Sequence, residues 1–200
     1  MTRLLLVRHG QSEWNAQGRW QGLGDPHLSD HGREEAKLAA SALDGFAGLI
    51  FSSPLIRARE TAEIIATALG HDGALLIEPD LREIDVGEFS GLTNDEIEAK
   101  LPEAWAELRA GNLQRFPGGE ARADFLDRVI GALARIAARH PDDTVLAVTH
   151  GGAIASLERH LGVHPGVGVG NLGGRWFELD GELRVDGERV ALASQRDTGS

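Results

Sequence analysis

The chain is 200 residues long, 42% hydrophobic and 26% charged, the balance of a folded protein with enough length to bury a core without staples. It contains no cysteine, which excludes disulfides, thiolate metal sites and cysteine nucleophiles. With 20 Lys plus Arg against 31 Asp plus Glu, the net charge is −11; that field repels nucleic acid and anionic membranes and makes any cluster of arginines informative.

Leu4-Leu5-Leu6-Val7 reads as a buried strand, and Arg8-His9-Gly10 follows at its C-terminal end. Four apolar residues are too few for a signal segment or a membrane span, so the expected location is the cytoplasm, with no membrane partner. A polar loop runs to Asp25-Pro26. Ser29 is the predicted N-cap of a helix through Leu43, with Ala36, Leu38, Ala39, Ala42 and Leu43 as its buried stripe. Leu49-Ile50-Phe51 is a second strand, and Ser53-Pro54 pairs an N-cap with a proline at the first helical position, opening a helix that Gly70 stops.

Leu75-Leu76-Ile77 reads as a third strand and 81–92 as an irregular segment. Thr93 caps a helical stretch that Pro102 interrupts or restarts, and 112–119 is loop. Across 121–140, Phe125, Leu126, Val129, Ile130, Leu133, Ile136 and Ala137 recur at helical spacing. Val145-Leu146-Ala147-Val148 is the clearest strand; Thr149-His150-Gly151-Gly152 ends it before another helix. Trp176-Phe177 and Val190-Ala191-Leu192 suggest strands at a sheet edge. Strands alternating with helices argue for an α/β fold with a mostly parallel sheet. We read 1–193 as one domain and 194–200 as a flexible tail.

Ligands of open α/β sheets sit beyond the carboxyl ends of the strands. Arg8-His9-Gly10 and Thr149-His150-Gly151 occupy two such ends, and the helix after Ser52-Ser53-Pro54 brings up Arg57. If the strands are neighbours, two histidines and two arginines converge beside helix N-termini that favour anions. Arginine forks suit phosphate oxygens, and neutral imidazole attacks phosphorus. Taken singly, each histidine is more often a structural hydrogen-bonding residue, and Arg57 could pair with Glu60 or Glu63 on a helix surface. Their joint placement is what argues for phosphoryl chemistry. No G-x-S-x-G elbow, Walker loop or H-E-x-x-H helix exists, and the remaining histidines lack ligand spacing, so no metal is expected.

Leu6-Val7-Arg8-His9-Gly10-Gln11-Ser12-Glu13-Trp14-Asn15 resembles the signature of the histidine phosphatase superfamily, the phosphoglycerate-mutase-like proteins. Gly18-Arg19-Trp20-Gln21-Gly22, Leu28-Ser29-Asp30-His31-Gly32, the run from Ser52 to Ala62, the run from Leu81 to Gly91, Pro117-Gly118-Gly119-Glu120 and Val148-Thr149-His150-Gly151-Gly152 follow in the family's order. The resemblance implies a three-layer α/β/α sandwich and a phosphohistidine intermediate. It makes His9 the nucleophile, with Arg8, Arg57 and His150 holding the phosphoryl group. Glu83 becomes the general acid and then the base for water; a loop glutamate by itself would be read as solvated. Asn15 is an implied accessory phosphate contact, and Gln21, Gly22 and Gly151, with Phe89, Arg109 and Arg115, are further candidates for substrate contacts. His27, Ser90 and Ala121 depart from the common pattern, which bears on substrate preference rather than chemistry.

The implied activity is a metal-independent, cofactor-free phosphomonoesterase acting on a small phosphorylated metabolite, of sugar-phosphate or phosphoglycerate type. Gly119-Glu120-Ala121-Arg122 and Gly170-Asn171 are similar to sugar-phosphate phosphatases. A cofactor-dependent phosphoglycerate mutase is the alternative, disfavoured by the short connection from Gly91 to Pro117 and by few extra arginines, chiefly Arg109 and Arg115. A non-catalytic phospho-ligand or protein-binding module is the third reading. Trp176 is expected in the core, whereas Trp14, Trp20 and Trp105 could line the pocket mouth, as could Phe89. The oligomeric state is not legible.

Overall fold

The computed structural model describes residues 1–71, 75–163 and 166–193; the tail assigned to 194–200 lies outside them. The strands are β1 (Thr2–Arg8), β2 (Leu49–Ser52), β3 (Leu76–Ile77), β4 (Thr144–Thr149), β5 (Gly173–Leu179) and β6 (Leu183–Ala191). They form one sheet in the order β3-β2-β4-β1-β5-β6. The first four in that order run parallel, and β5 and β6 add an antiparallel pair. Trp176 therefore stands on an inner strand, half-buried against the core rather than within it, and the sheet edges are β3 and β6.

The helices are α1 (Glu13–Ala16), α2 (Asp30–Ala42), α3 (Ile56–Ala68), α4 (Asn94–Lys100), α5 (Pro102–Arg109), α6 (Arg122–Arg139) and α7 (Gly151–His160). Alternation along β1 separates two cores. Leu5 and Val7 join Ile50, Leu146 and Val148 under α2 and α3. Leu4 and Leu6 join Val145, Ala147, Phe125, Leu133 and Leu157 under α6 and α7. This is the expected α/β/α sandwich. Among the described residues no helix is long and apolar enough to cross a membrane.

Local signals behave mostly as read. Ser29 caps α2 by accepting from the Gly32 N–H at 3.1 Å, and Thr93 forms a capping box with Glu96. Three expectations need correction. Leu38 is 49% exposed and Ala42 is exposed, because α2 meets the sheet through Gly32, Ala36, Ala39 and Ala40 instead. Ser53 does not cap a helix starting at Pro54: α3 begins at Ile56 with no side-chain cap. The Ser53 hydroxyl is committed to the Leu55 N–H at 3.3 Å and the His150 ring at 2.7 Å.

Candidate functional site

Pairing of β1 with β4 sets Arg8 beside Thr149, so the next residues, His9 and His150, emerge side by side. Their ring centroids are 5.2 Å apart, and the His9 N–H donates to the Thr149 carbonyl at 3.0 Å. The adjacent strand β2 delivers Ser53 to the Nε2 of His150, and the first turn of α3 delivers Arg57. Glu83 arrives on the segment after the 3-10 turn Pro79–Leu81, whose last carbonyl accepts from the Thr149 hydroxyl at 2.8 Å.

His9 is 2% exposed and held at both nitrogens. Arg57 has only donors, so its Nε–H, 3.2 Å from His9 Nε2, requires a lone pair on that nitrogen. The proton then sits on Nδ1, which donates to the Gly10 carbonyl at 2.7 Å. Burial, then the charges of Arg57 and Arg8, hold His9 well below the usual histidine pKa. Burial likewise depresses His150, with Arg57 adding to it. The Nδ1 of His150 is buried with no hydrogen-bond partner among the described residues, an unmade bond that an incoming oxyanion could satisfy.

Arg57 is 1% exposed. It donates through Nε to His9, through Nη1 to the Gly24 carbonyl at 2.7 Å and through Nη2 to the Gly22 carbonyl at 2.9 Å. Three of its donors are used to fix the fork, and its remaining N–H bonds stay available. Burial lowers its pKa to about 10, against the opposing charge of Glu83, so it stays cationic at neutral pH. Arg8 spends Nη1 on the Val169 carbonyl at 2.7 Å. Gly22 turns with φ +52°, and a Cβ there would meet Val86 Cγ2 at 2.6 Å.

Glu83 is placed by two devices. Its carboxylate accepts from the Gly152 N–H at 3.2 Å and the Ile84 N–H at 3.0 Å. Its backbone is clamped by Arg128, which donates to the carbonyls of Asp80, Arg82 and Glu83 at 2.8, 2.8 and 2.9 Å while pairing with Glu120 at 2.7 Å. Burial opposes the charge on Glu120, but the Arg128 guanidinium outweighs it and keeps Glu120 below the usual carboxylate range. Glu120 was legible in the sequence only as part of a motif, and Arg128 was missed.

A cavity of about 430 Å³ opens over these groups. Arg8, His9, Asn15, Gln21, Gly22, Arg57, Glu83 and Gly151 all line it, with His150 behind. Asn15 Oδ1 accepts from Ser12 and from Asn171, leaving its amide N–H groups without a partner among the described residues. Asn171 also donates to the His9 carbonyl at 3.0 Å. Among the described residues no cluster of three or more His, Asp or Glu side chains could hold a metal ion.

Other candidates fall elsewhere. Trp20 lines the cavity, but Trp105 and Phe89 are core, and Trp14 packs on Gly24 and Gly91. Arg109 lies over the Trp105 ring and Arg115 pairs with Asp124, both outside the cavity lining. Arg19, Arg122 and Arg159 line it instead, so the pocket is more basic than the sequence suggested.

The family model of the histidine phosphatase superfamily (branch 1) matches residues 4–171. Phosphoserine phosphatase 1 of Hydrogenobacter thermophilus is 42% identical over 154 residues, covering 75% of this chain and 71% of that one. Glucosyl-3-phosphoglycerate phosphatase of Mycolicibacterium vanbaalenii is 37% identical, covering 97% and 91%. The structure of a mycobacterial glucosyl-3-phosphoglycerate phosphatase with VO3 superposes with a TM-score of 0.79 at 32% identity, over 92% of this chain and 96% of that one.

Proposed function

Since the chain belongs to the histidine phosphatase superfamily, we propose that its pocket hydrolyses a small phosphate monoester through a phosphohistidine on His9. The observation that carries the reading is the fixed tautomer of His9, whose Nδ1–H is tied to Gly10 and whose Nε2 lone pair faces Arg57. As the phosphoryl group takes up the free donors of Arg57 and Arg8, Nε2 attacks phosphorus and the bond to the leaving oxygen breaks. Glu83 gives that oxygen its proton. The carboxylate so formed then takes a proton from water, whose oxygen attacks the phosphohistidine and frees phosphate and His9.

The Ser53 hydroxyl accepts from the Leu55 N–H and so gives its own proton to His150 Nε2, which puts the ring proton on Nδ1. Arg8, Arg57, that Nδ1–H and the Asn15 amide supply donors to the equatorial oxygens, where charge spreads in the transition state. Gln21, Gly22 and Gly151 shape the walls, and no step calls on a metal ion. The phosphatase names of the similar proteins favour water over a second hydroxyl as acceptor, as does the short stretch of α4 and α5 where a mutase would carry an enclosing segment. Residues 1–193 act as one unit in this reading, working on a cytoplasmic metabolite. The test is phosphate release from a panel of phosphorylated metabolites in excess EDTA, with 3-phosphoglycerate isomerisation followed in parallel. Chelator-resistant release is expected; isomerisation faster than the best hydrolysis would reverse the assignment.

A further inference from the structure

The pocket holds more positive charge than one phosphoryl group uses. Arg122 is the first residue of α6, Arg159 stands near the end of α7, and both line the cavity. Neither meets a carboxylate among the described residues: Arg122 Nε donates to the Leu113 carbonyl at 2.7 Å, and Arg159 Nη2 to the Ser156 hydroxyl at 3.0 Å. Arg19, in the same wall, is neutralised by Glu96 at 2.8 Å. Burial and then the charge of Arg159 hold Arg122 below the usual arginine value, so the two cations feel each other. Two guanidinium groups on one cavity wall without a carboxylate partner among the described residues, in a chain of net charge −11, repel each other, and an anion between them would remove that repulsion.

Their position gives the distance. Gly151, Ala155 and Arg159 recur every four residues on the cavity side of α7, and eight residues of helix rise about 12 Å. Helical side chains lean toward the N-terminus, so Arg159 reaches back over Ser156, as its hydrogen bond shows. Its charge therefore stands away from His9 but over the same cavity. Phe116, with Arg122 over its ring at 5.5 Å, provides an apolar wall beside it.

We propose that Arg122 and Arg159 form a second anion site that selects phosphate monoesters bearing a carboxylate. The planar forks match two carboxylate oxygens bidentately, and no lysine lines the cavity to help neutralise a second dianion. The inference rests on the phosphatase reading for its substrate, but not for its ligand.

The experiment uses two matched pairs: 3-phosphoglycerate against glycerol 3-phosphate, and 4-carboxyphenyl phosphate against phenyl phosphate. Calorimetry on the His9→Ala protein reads binding without turnover. A preference of about tenfold for the carboxylated member of either pair is expected, from charge-assisted hydrogen bonds. It should vanish in His9→Ala combined with Arg159→Gln and with Arg122→Gln, while Arg122→Lys keeps part of it. The ratio of kcat/KM within each pair should fall in step in the enzymes carrying the Arg substitutions alone. No preference in either pair, or one that survives both Gln substitutions, overturns the proposal. Failure of the wild type to hydrolyse any member would instead sink the phosphatase reading, with the binding arm still deciding the anion site.

Discussion

Arg57 donates from Nε to the Nε2 of His9 at 3.2 Å, and this one contact decides which imidazole nitrogen keeps its lone pair. The same guanidinium, anchored on the Gly22 and Gly24 carbonyls, cannot drift away from the imidazole proposed as the nucleophile. His9→Ala should therefore lose on the order of a thousandfold or more in kcat, and acid-labile phosphate should disappear from the rapidly quenched enzyme. Unchanged labelling in that variant would move the covalent step to another residue.

Glu83→Gln should keep the shape of the pocket but remove the proton donor. The loss is expected to be greatest for alkyl phosphates, whose leaving oxygens need protonation, and small for nitrophenyl phosphate. A uniform loss across leaving groups would argue against the acid role.

Gly152→Ala offers a sharper test. A Cβ at that position would stand 2.2 Å from Glu83 Oε1, so the carboxylate has to move. The carboxylate ends a flexible side chain, so the fold tolerates the shift, and because Gly152 lies in the first turn of α7 the helix gains at most about 0.8 kcal/mol of propensity. The expected outcome is a Tm equal to or above wild type with kcat reduced at least tenfold, an effective-positioning loss. A stable variant with full activity would show that Glu83 needs no fixed seat.

Arg128→Ala should be costly in a different way. It strands Glu120 and three carbonyls around Glu83, and breaking a largely buried pair costs about 3–5 kcal/mol. Urea denaturation should show a loss of at least ~2 kcal/mol after discounting for partial exposure. A loss in activity with unaltered stability would mean that the clamp acts on position alone.

The buried histidines set a pH dependence. Both have folded pKa values well below the usual 6.5, so below pH 6.5 the unfolded chain binds protons that the folded chain refuses. Stability is full above the unfolded value and declines as pH falls, by about 1.4 kcal/mol per pH unit for each histidine until its folded value is reached. His150→Gln should flatten the slope between pH 6.5 and 5 relative to wild type. An equal slope in both proteins would place the acid sensitivity elsewhere.

The amino-acid sequence by itself determined the elements and placed the groups proposed to react at the ends of its strands. Apolar runs closed by Arg8-His9 and Thr149-His150, the caps at Ser29 and Thr93 and the periodicity of α6 are local facts, governed by neighbours a few residues away. The ordered motifs added Glu83 by resemblance, not by any property of the residue itself. Only the tertiary structure decided which groups share a wall. Arg109 and Arg115 look like pocket arginines along the chain, yet Trp105 and Asp124 hold them outside, while α6 and α7 bring Arg122 and Arg159 together from 37 positions apart in sequence. Ser53 reads as a helix cap and becomes the partner of His150 because β2 and β4 are neighbours. Phe89 reads along the chain as a candidate for the pocket mouth and becomes core instead, packed edge-on against Phe116. Capping and periodicity act within one or two turns of chain, whereas contacts such as these depend on sheet order and helix packing, which local patterns do not encode.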